Sequence, residues 1–307
     1  MRPGWLEQPE RSNLPAIRFL VWFALALGRR AARLLLYPIC LYYVVFLPRA
    51  RRASLAYLAR VLPRRPGLRE VFRHCHTFAA VALDRVFFLK QRFEAFDVRV
   101  HGEDLLRETL AGGRGCLLLG AHLGSFEALR AAGREQGVRI NLVMYEENAR
   151  KVIAVSKEID PALAQAIIPL GRFDSMLRVA HCLERGEWIG VLADRALGGE
   201  GLLQAQFLGA QARFPLAPFR IAAMLGRPVL LMAGLYRGGN RYDLHFERLV
   251  TAEELAEHDR DAPARWVQRY AQRLHEARTS PESRSIYNTP QRTLEFRLAR
   301  TEGRTAQ

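Results

Sequence analysis

Two side chains five residues apart, His122 and Glu127, are the residues best suited to chemistry. They lie in the run Gly115-Cys-Leu-Leu-Leu-Gly-Ala-His-Leu-Gly-Ser-Phe-Glu-Ala-Leu-Arg130. Imidazole titrates near neutral pH, and a neighbouring carboxylate can fix its tautomer and stabilise the imidazolium, which makes a general base. Neighbours on one helix face lie three or four residues apart, so a spacing of five does not join the two on a single helix. The pair therefore needs His122 in a turn and Glu127 in the first turn of the next helix. The run has that form: apolar residues 116–119 read as a strand, glycines bracket the turn, and a helix pattern starts at Phe126.

Two more segments meet the same requirement. Tyr145, Glu147 and Asn148 follow a strand pattern over residues 138–144, and Asp194 and Arg195 follow another at Trp188–Leu192. In open α/β sheets, ligands gather at the carboxyl ends of the strands. Three separate strand ends thus point to one site.

These segments also carry a resemblance. His-x4-Glu inside Gly-Ala-His-x-Gly-Ser-x-Glu, then Leu142-Val-Met-Tyr-Glu-Glu-Asn-Ala149, Gly190-Val-Leu-Ala-Asp-Arg195, and Phe207-Leu-Gly followed by Arg213-Phe-Pro, resemble the membrane-bound acyltransferases of bacterial lipid A biosynthesis. The resemblance runs in order over residues 19–271. It implies a glycerolipid acyltransferase-like α/β fold. It implies transfer of a fatty acyl chain from an acyl carrier protein thioester to a hydroxyl of a membrane glycolipid such as a lipid A precursor. No cofactor is implied beyond the acyl donor.

In that reading His122 is the base and Glu127 holds its ring. Backbone N–H groups near Gly124 and Ser125 are candidate donors to the oxyanion. Arg195 could bind a phosphate or the acyl carbonyl. Asp194 and Asn148 serve either the substrate or the local structure. An acyl-enzyme is disfavoured, because the chain has no Gly-x-Ser-x-Gly elbow and Cys116 sits within an apolar strand. Two other functions fit the same residues: a lipid thioester hydrolase using the dyad on water, and an impaired membrane protein that binds acyl carrier or lipid. The family tends to end in a Trp- and Phe-rich segment, whereas here Ser280-Pro-Glu-Ser-Arg-Ser-Ile-Tyr-Asn-Thr289 has no tryptophan.

The elements that must position these residues are set by pattern. The chain has 307 residues with 50% hydrophobic and 25% charged, a composition that builds a core. Its net charge of +15 suits anionic partners. No nucleic-acid module is recognisable, which leaves acidic phospholipid and acyl carrier. The four cysteines, Cys40, Cys75, Cys116 and Cys182, form no CxxC pair and read as buried thiols. His74-Cys75-His76 is no metal cluster, since adjacent helical residues point apart and a further ligand is missing. No metal site is expected.

Three regions are expected: a tail and membrane anchor over 1–52, an acyltransferase domain over 53–279, and a polar tail over 280–307. Two apolar stretches, 16–28 and 34–47, flank Arg29, Arg30 and Arg33. Each is shorter than the ~20 residues that span a bilayer. Together they admit a tilted span with snorkelling arginines, a shallow hairpin, or a monotopic anchor. A cleaved signal peptide does not fit. The cationic run Pro48-Arg-Ala-Arg-Arg52 places the catalytic domain beyond it on the cytoplasmic side of a bacterial inner membrane.

Residues 53–93 read as helical. Strands are expected near 97–101, 116–119, 138–144, 167–170, 188–192, 229–236 and 242–246, and helices near 126–135, 147–158, 174–185, 215–225 and 263–277. Alternation of strands and helices gives a mainly parallel sheet with one antiparallel edge, flanked by helices.

Overall fold

The computed structural model describes residues 14–128, 133, 137–145, 164–171, 173–194, 201–257 and 259–279. The fold is mixed α/β. Among the described residues, helices α1 (Leu14–Phe46), α2 (Pro48–Val61) and α3 (Leu68–Leu89) come first. Strand β1 (Asp97–His101) and helix α4 (Glu103–Ala111) lead into β2 (Cys116–Gly120), β3 (Ile140–Tyr145) and β4 (Ile167–Leu170). Next are α5 (Ser175–Glu184), β5 (Trp188–Leu192), β6 (Leu202–Phe207), β7 (Ala210–Pro215) and α6 (Ala217–Leu225). Last are β8 (Val229–Gly238), β9 (Arg241–Val250), α7 (Ala252–Ala256) and α8 (Ala262–Thr279).

Seven strands form one sheet in the order β1-β9-β8-β2-β5-β3-β4. The neighbours from β8 to β4 run parallel, and β8 pairs with β9 antiparallel through the Gly238-Gly239-Asn240 turn. The sequence pattern puts the antiparallel strand at the edge, but β9 is not the edge. β1 adds to it in parallel and forms the rim. All five residues of β2 are buried, as in a central strand covered on both faces.

The strands at 167–170 and 188–192 fall where the pattern puts them. β9 extends four residues beyond the expected stretch, because its outer half pairs with β8 as far as Val250. The β6–β7 hairpin and α4 are additions to the expected elements. The helical region over 53–93 resolves into α2 and α3, and α2 begins within the cationic run itself. The expected helix near 147–158 lies outside the described residues. Of the one near 126–135, the first turn is described.

α1 bends at Gly28, which adopts a positive φ of 83°. Its inner stripe, Ala32, Leu36, Cys40 and Val44, is buried at a spacing of four and packs along α3. Snorkelling, one of the arrangements the two apolar stretches admit, is not what Arg29 and Arg33 do. Both turn inward to Asp84 of α3, which is fully buried. Arg29 Nε donates to Asp84 Oδ1 at 2.7 Å, Arg33 Nη2 to Oδ2 at 2.9 Å, and Tyr242 of β9 donates its hydroxyl at 2.9 Å. The same arginines grip the carbonyl of Gly239 at 2.5 and 2.6 Å.

The outer face of α1 is apolar and bare: Trp22, Leu27, Leu34, Leu41, Tyr42 and Phe46 are each more than half exposed. No single described helix is long and apolar enough to cross a membrane. α1 from Phe19 and α2, bent by 94°, pass such a test only as a pair, by length and composition.

Candidate active site

β2 and β5 lie side by side in parallel, with Gly120 paired to Leu192. Two residues past Gly120 comes His122, and two past Leu192 comes Asp194. The backbone stays locked beyond the strands, since the Ala193 N–H donates to the Gly120 carbonyl at 2.9 Å. Tyr270 of α8 donates to that same carbonyl at 2.7 Å. The two side chains therefore meet because their strands are in register.

His122 binds Asp194 twice. Its backbone N–H donates to Oδ2 at 3.0 Å, and its Nδ1 lies 2.8 Å from Oδ1. An ionised carboxylate only accepts, so the ring proton belongs on Nδ1, and Nε2 keeps its lone pair. Asp194 is fully buried, while the His122 side chain is 30% exposed. Burial alone would raise the Asp194 carboxyl. The charge His122 carries once protonated, its hydrogen bonds and the charge of Arg278 outweigh it and hold the group below its ordinary value. The arrangement is an oriented imidazole with its free nitrogen turned from its acid, which is the form of a general base.

The carboxylate on the ring is thus Asp194, not Glu127. Glu127 is engaged elsewhere. Arg85 of α3 reaches Glu127 Oε1 at 2.6 Å through Nη2, and the Ser125 hydroxyl donates to Oε2 at 3.3 Å. Both Ser125 and Glu127 serve the start of the helix at Phe126. Ser125 Oγ accepts from the Ala128 N–H at 3.3 Å, a capping contact, and an acid in the first turn favours the helix dipole.

Gly124 and Ser125 also serve the sheet. Gly124 has φ 75° and bridges to Gly234 of β8, and a Cβ there would fall 1.7 Å from the Gly234 carbonyl oxygen. Only glycine fits so close an approach. The Ser125 N–H donates to that carbonyl at 2.8 Å. It is therefore spent, and the expectation that it receives an oxyanion is corrected. Arg195 and Asn148 lie outside the described residues.

Cys116 is fully buried, and burial pushes its thiol well up, which leaves a poor nucleophile. His74 is buried and its Nδ1 meets Ser54 Oγ at 2.6 Å, while His76 stacks on Phe72. A cluster absent from the sequence reading is His101, Asp243 and His245, whose ligand atoms lie within 4.8 Å of one another. It forms because β1 pairs with β9 in register, His101 to His245. Asp243 there is already held by Arg237 at 2.7 Å and Arg241 at 2.9 Å. Arg278, fully buried on α8 over the ring of Phe207, also escapes the sequence reading. Its signal is a cation in step with Trp266, Tyr270 and Leu274.

No curated protein matches the chain. A family model does: that described as bacterial lipid A biosynthesis acyltransferase matches residues 16–277.

Proposed function

Since the chain belongs to the bacterial lipid A biosynthesis acyltransferase family and is an enzyme that transfers acyl groups, we propose that His122 is its general base and Asp194 the acid that orients it. The observation that carries this reading is the 2.8 Å contact between His122 Nδ1 and Asp194 at the paired ends of β2 and β5. The donor in this reading is a fatty acyl thioester of acyl carrier protein, and the acceptor a hydroxyl of a lipid A precursor.

Nε2 takes the hydroxyl proton as the oxygen attacks the thioester carbonyl. The tetrahedral intermediate collapses with loss of the thiolate, and the thiolate recovers the proton from the imidazolium. Asp194 stabilises the ring while it carries that charge. The net change is one ester formed and one thioester broken, with no acyl-enzyme. Glu127 contributes from the helix start, through the position of the loop that holds His122.

Membrane association is part of the same reading. A lipid acceptor requires contact with a lipid surface, and the bare apolar face of α1 suits one. With α1 packed on α3, this attachment lies along the membrane, with α1 in the interface and the arginines of α2 near the headgroups. The cytoplasmic side is inferred from the arginine-rich start of α2.

The test uses the full chain in detergent, acyl carrier protein carrying a labelled acyl group, and a lipid A precursor. The label should appear on the lipid, and His122→Ala should lower turnover by about two to four orders of magnitude. Full activity of a folded His122→Ala protein would remove the base, and release of the label as free acid would mark a hydrolase. In fractionated cells that produce the full chain, it should remain with membranes through a high-salt wash, since salt screens charge contacts but not apolar burial.

A further inference from the structure

One carbonyl stands where the two strands hand over His122 and Asp194. Gly120, the last residue of β2, comes two residues before His122, and Ala193 comes immediately before Asp194. The Gly120 carbonyl accepts from the Ala193 N–H at 2.9 Å and from the Tyr270 hydroxyl at 2.7 Å. A carbonyl oxygen has two lone pairs, so both are taken. The first bond is backbone to backbone, and most side chains at either position would leave it in place. The second comes from a side chain 150 residues away in sequence and depends on that one hydroxyl.

Tyr270 is held on all sides. It is fully buried in the inner stripe of α8, between Trp266 and Leu274. Its ring meets Phe214 of β7 edge-on, with centroids 6.0 Å apart, and Phe219 of α6 at 5.5 Å. Burial pushes the phenol well above its ordinary ionisation, so the hydroxyl keeps the proton it donates. A ring locked by packing gives its hydroxyl a fixed place, and the hydroxyl passes that place to the end of β2. Beyond His122 the chain is tethered again, by the Ser125 N–H on the Gly234 carbonyl at 2.8 Å. His122 thus lies between two fixed points, and the one at Gly120 depends on a side chain.

We propose that Tyr270 is a positioning residue for the His122–Asp194 pair: its hydroxyl fixes the Gly120 carbonyl, and with it the end of β2, so that the imidazole meets the carboxylate. The proposal rests on the reading of His122 as the base.

The experiment compares Tyr270→Phe with Tyr242→Phe in the full chain in detergent. Each removes one fully buried phenol hydroxyl, that of Tyr242 from its 2.9 Å bond to Asp84. Tyr270→Phe keeps the ring, and the Gly120 carbonyl keeps its bond to Ala193, so folding should survive. Turnover, Michaelis constants, melting temperature and the downfield proton resonance of the His122 Nδ1–H are measured. The resonance is assigned by its loss in Asp194→Asn. Tyr270→Phe should lower kcat roughly tenfold, inside the range that a small misplacement costs, with little change in either KM. Its Nδ1–H resonance should move or broaden. Tyr242→Phe should lower the melting temperature at least as far, yet leave kcat and the resonance in place. Where Asp194 is already Asn, adding Tyr270→Phe should lower kcat little further, because both act through one pair.

Turnover of Tyr270→Phe within about twofold of the parent, or an equal loss in Tyr242→Phe, would reduce the hydroxyl to fold stability and overturn the proposal. A loss confined to KM would make Tyr270 a substrate contact. Independent, multiplying losses with Asp194→Asn would place its effect outside the pair, and either result also overturns the proposal. The resonance needs no substrate. A fully active His122→Ala protein would therefore sink the base reading, while an Nδ1–H signal unmoved by Tyr270→Phe would sink the positioning role by itself.

Discussion

Two buried aspartates, Asp84 and Asp194, have no exposed side-chain surface, yet their surroundings differ. Asp84 accepts from two arginines and a tyrosine, and its oxygens receive four hydrogen bonds. Its partners are permanent cations or a phenol whose own ionisation burial makes harder. Among the described residues, Asp194 accepts from His122 alone, a residue that can gain and lose a proton. One aspartate is saturated and fixes one part of the molecule to another. The other leans on a titratable ring at the mouth of the sheet. Burial alone does not mark a functional carboxylate; the nature of its partner does.

That contrast can be broken most sharply at the site. Asp194→Asn should keep the shape while removing the charge behind the imidazolium, and turnover should fall by about two orders of magnitude or more. Glu127→Gln should fall less, because Glu127 bonds Arg85 and Ser125 rather than the ring. Steady-state kinetics of the two variants ranks the acids, and a larger loss at Glu127 would return the dyad to the sequence pair.

The opposite pattern is expected at the other aspartate. Asp84→Ala leaves Arg29 and Arg33 buried without their anion, a change that costs about 3–5 kcal/mol when a buried pair is broken. Chemical unfolding should report that loss. Turnover of the fraction that remains folded should change far less than in Asp194→Asn.

A smaller effect sharpens the contrast through pH. The Asp194 carboxyl is lowered from its ordinary 3.8 in the folded chain. Its ionisation therefore contributes stability above that value, and the contribution is lost as pH falls below it toward the folded value. Unfolding measured along an acid series should show Asp194→Asn flattening this part of the curve. An unchanged slope would mean that the carboxylate gains nothing from His122 and Arg278.

Much of the sheet is legible in the sequence because its strands are short, apolar and bounded by glycine. β2, β4 and β5 announce themselves by local pattern, and so does the His122 turn. Strand order is not local. Asp194 is 72 residues from His122 and meets it only because β5 lies next to β2. The pairing of His122 with Glu127 rests on neighbours in sequence, the only neighbours that spacing reveals.

The β6–β7 hairpin escapes for another reason. In β6 the buried Ala205 and Phe207 alternate with exposed Gln204 and Gln206, a half-exposed pattern weaker than an apolar run. The α4 helix leaves clearer signs, with Gly102 before it and Gly112 after. Arg29 and Arg33, between the two apolar stretches of α1, look like a membrane flank because their partner, Asp84, lies on another helix.

The grip of Arg29 and Arg33 on Asp84 and on the Gly239 turn has a mechanical consequence. The first helix cannot swing like a leash, because its bend is clamped both to α3 and to the turn that joins β8 to β9. A bilayer meeting the outer face of α1 would then set the height and tilt of the His122 end of the sheet. Reach becomes a built-in dimension, and selection of a hydroxyl would depend on how far it stands from the lipid surface as well as on its chemistry.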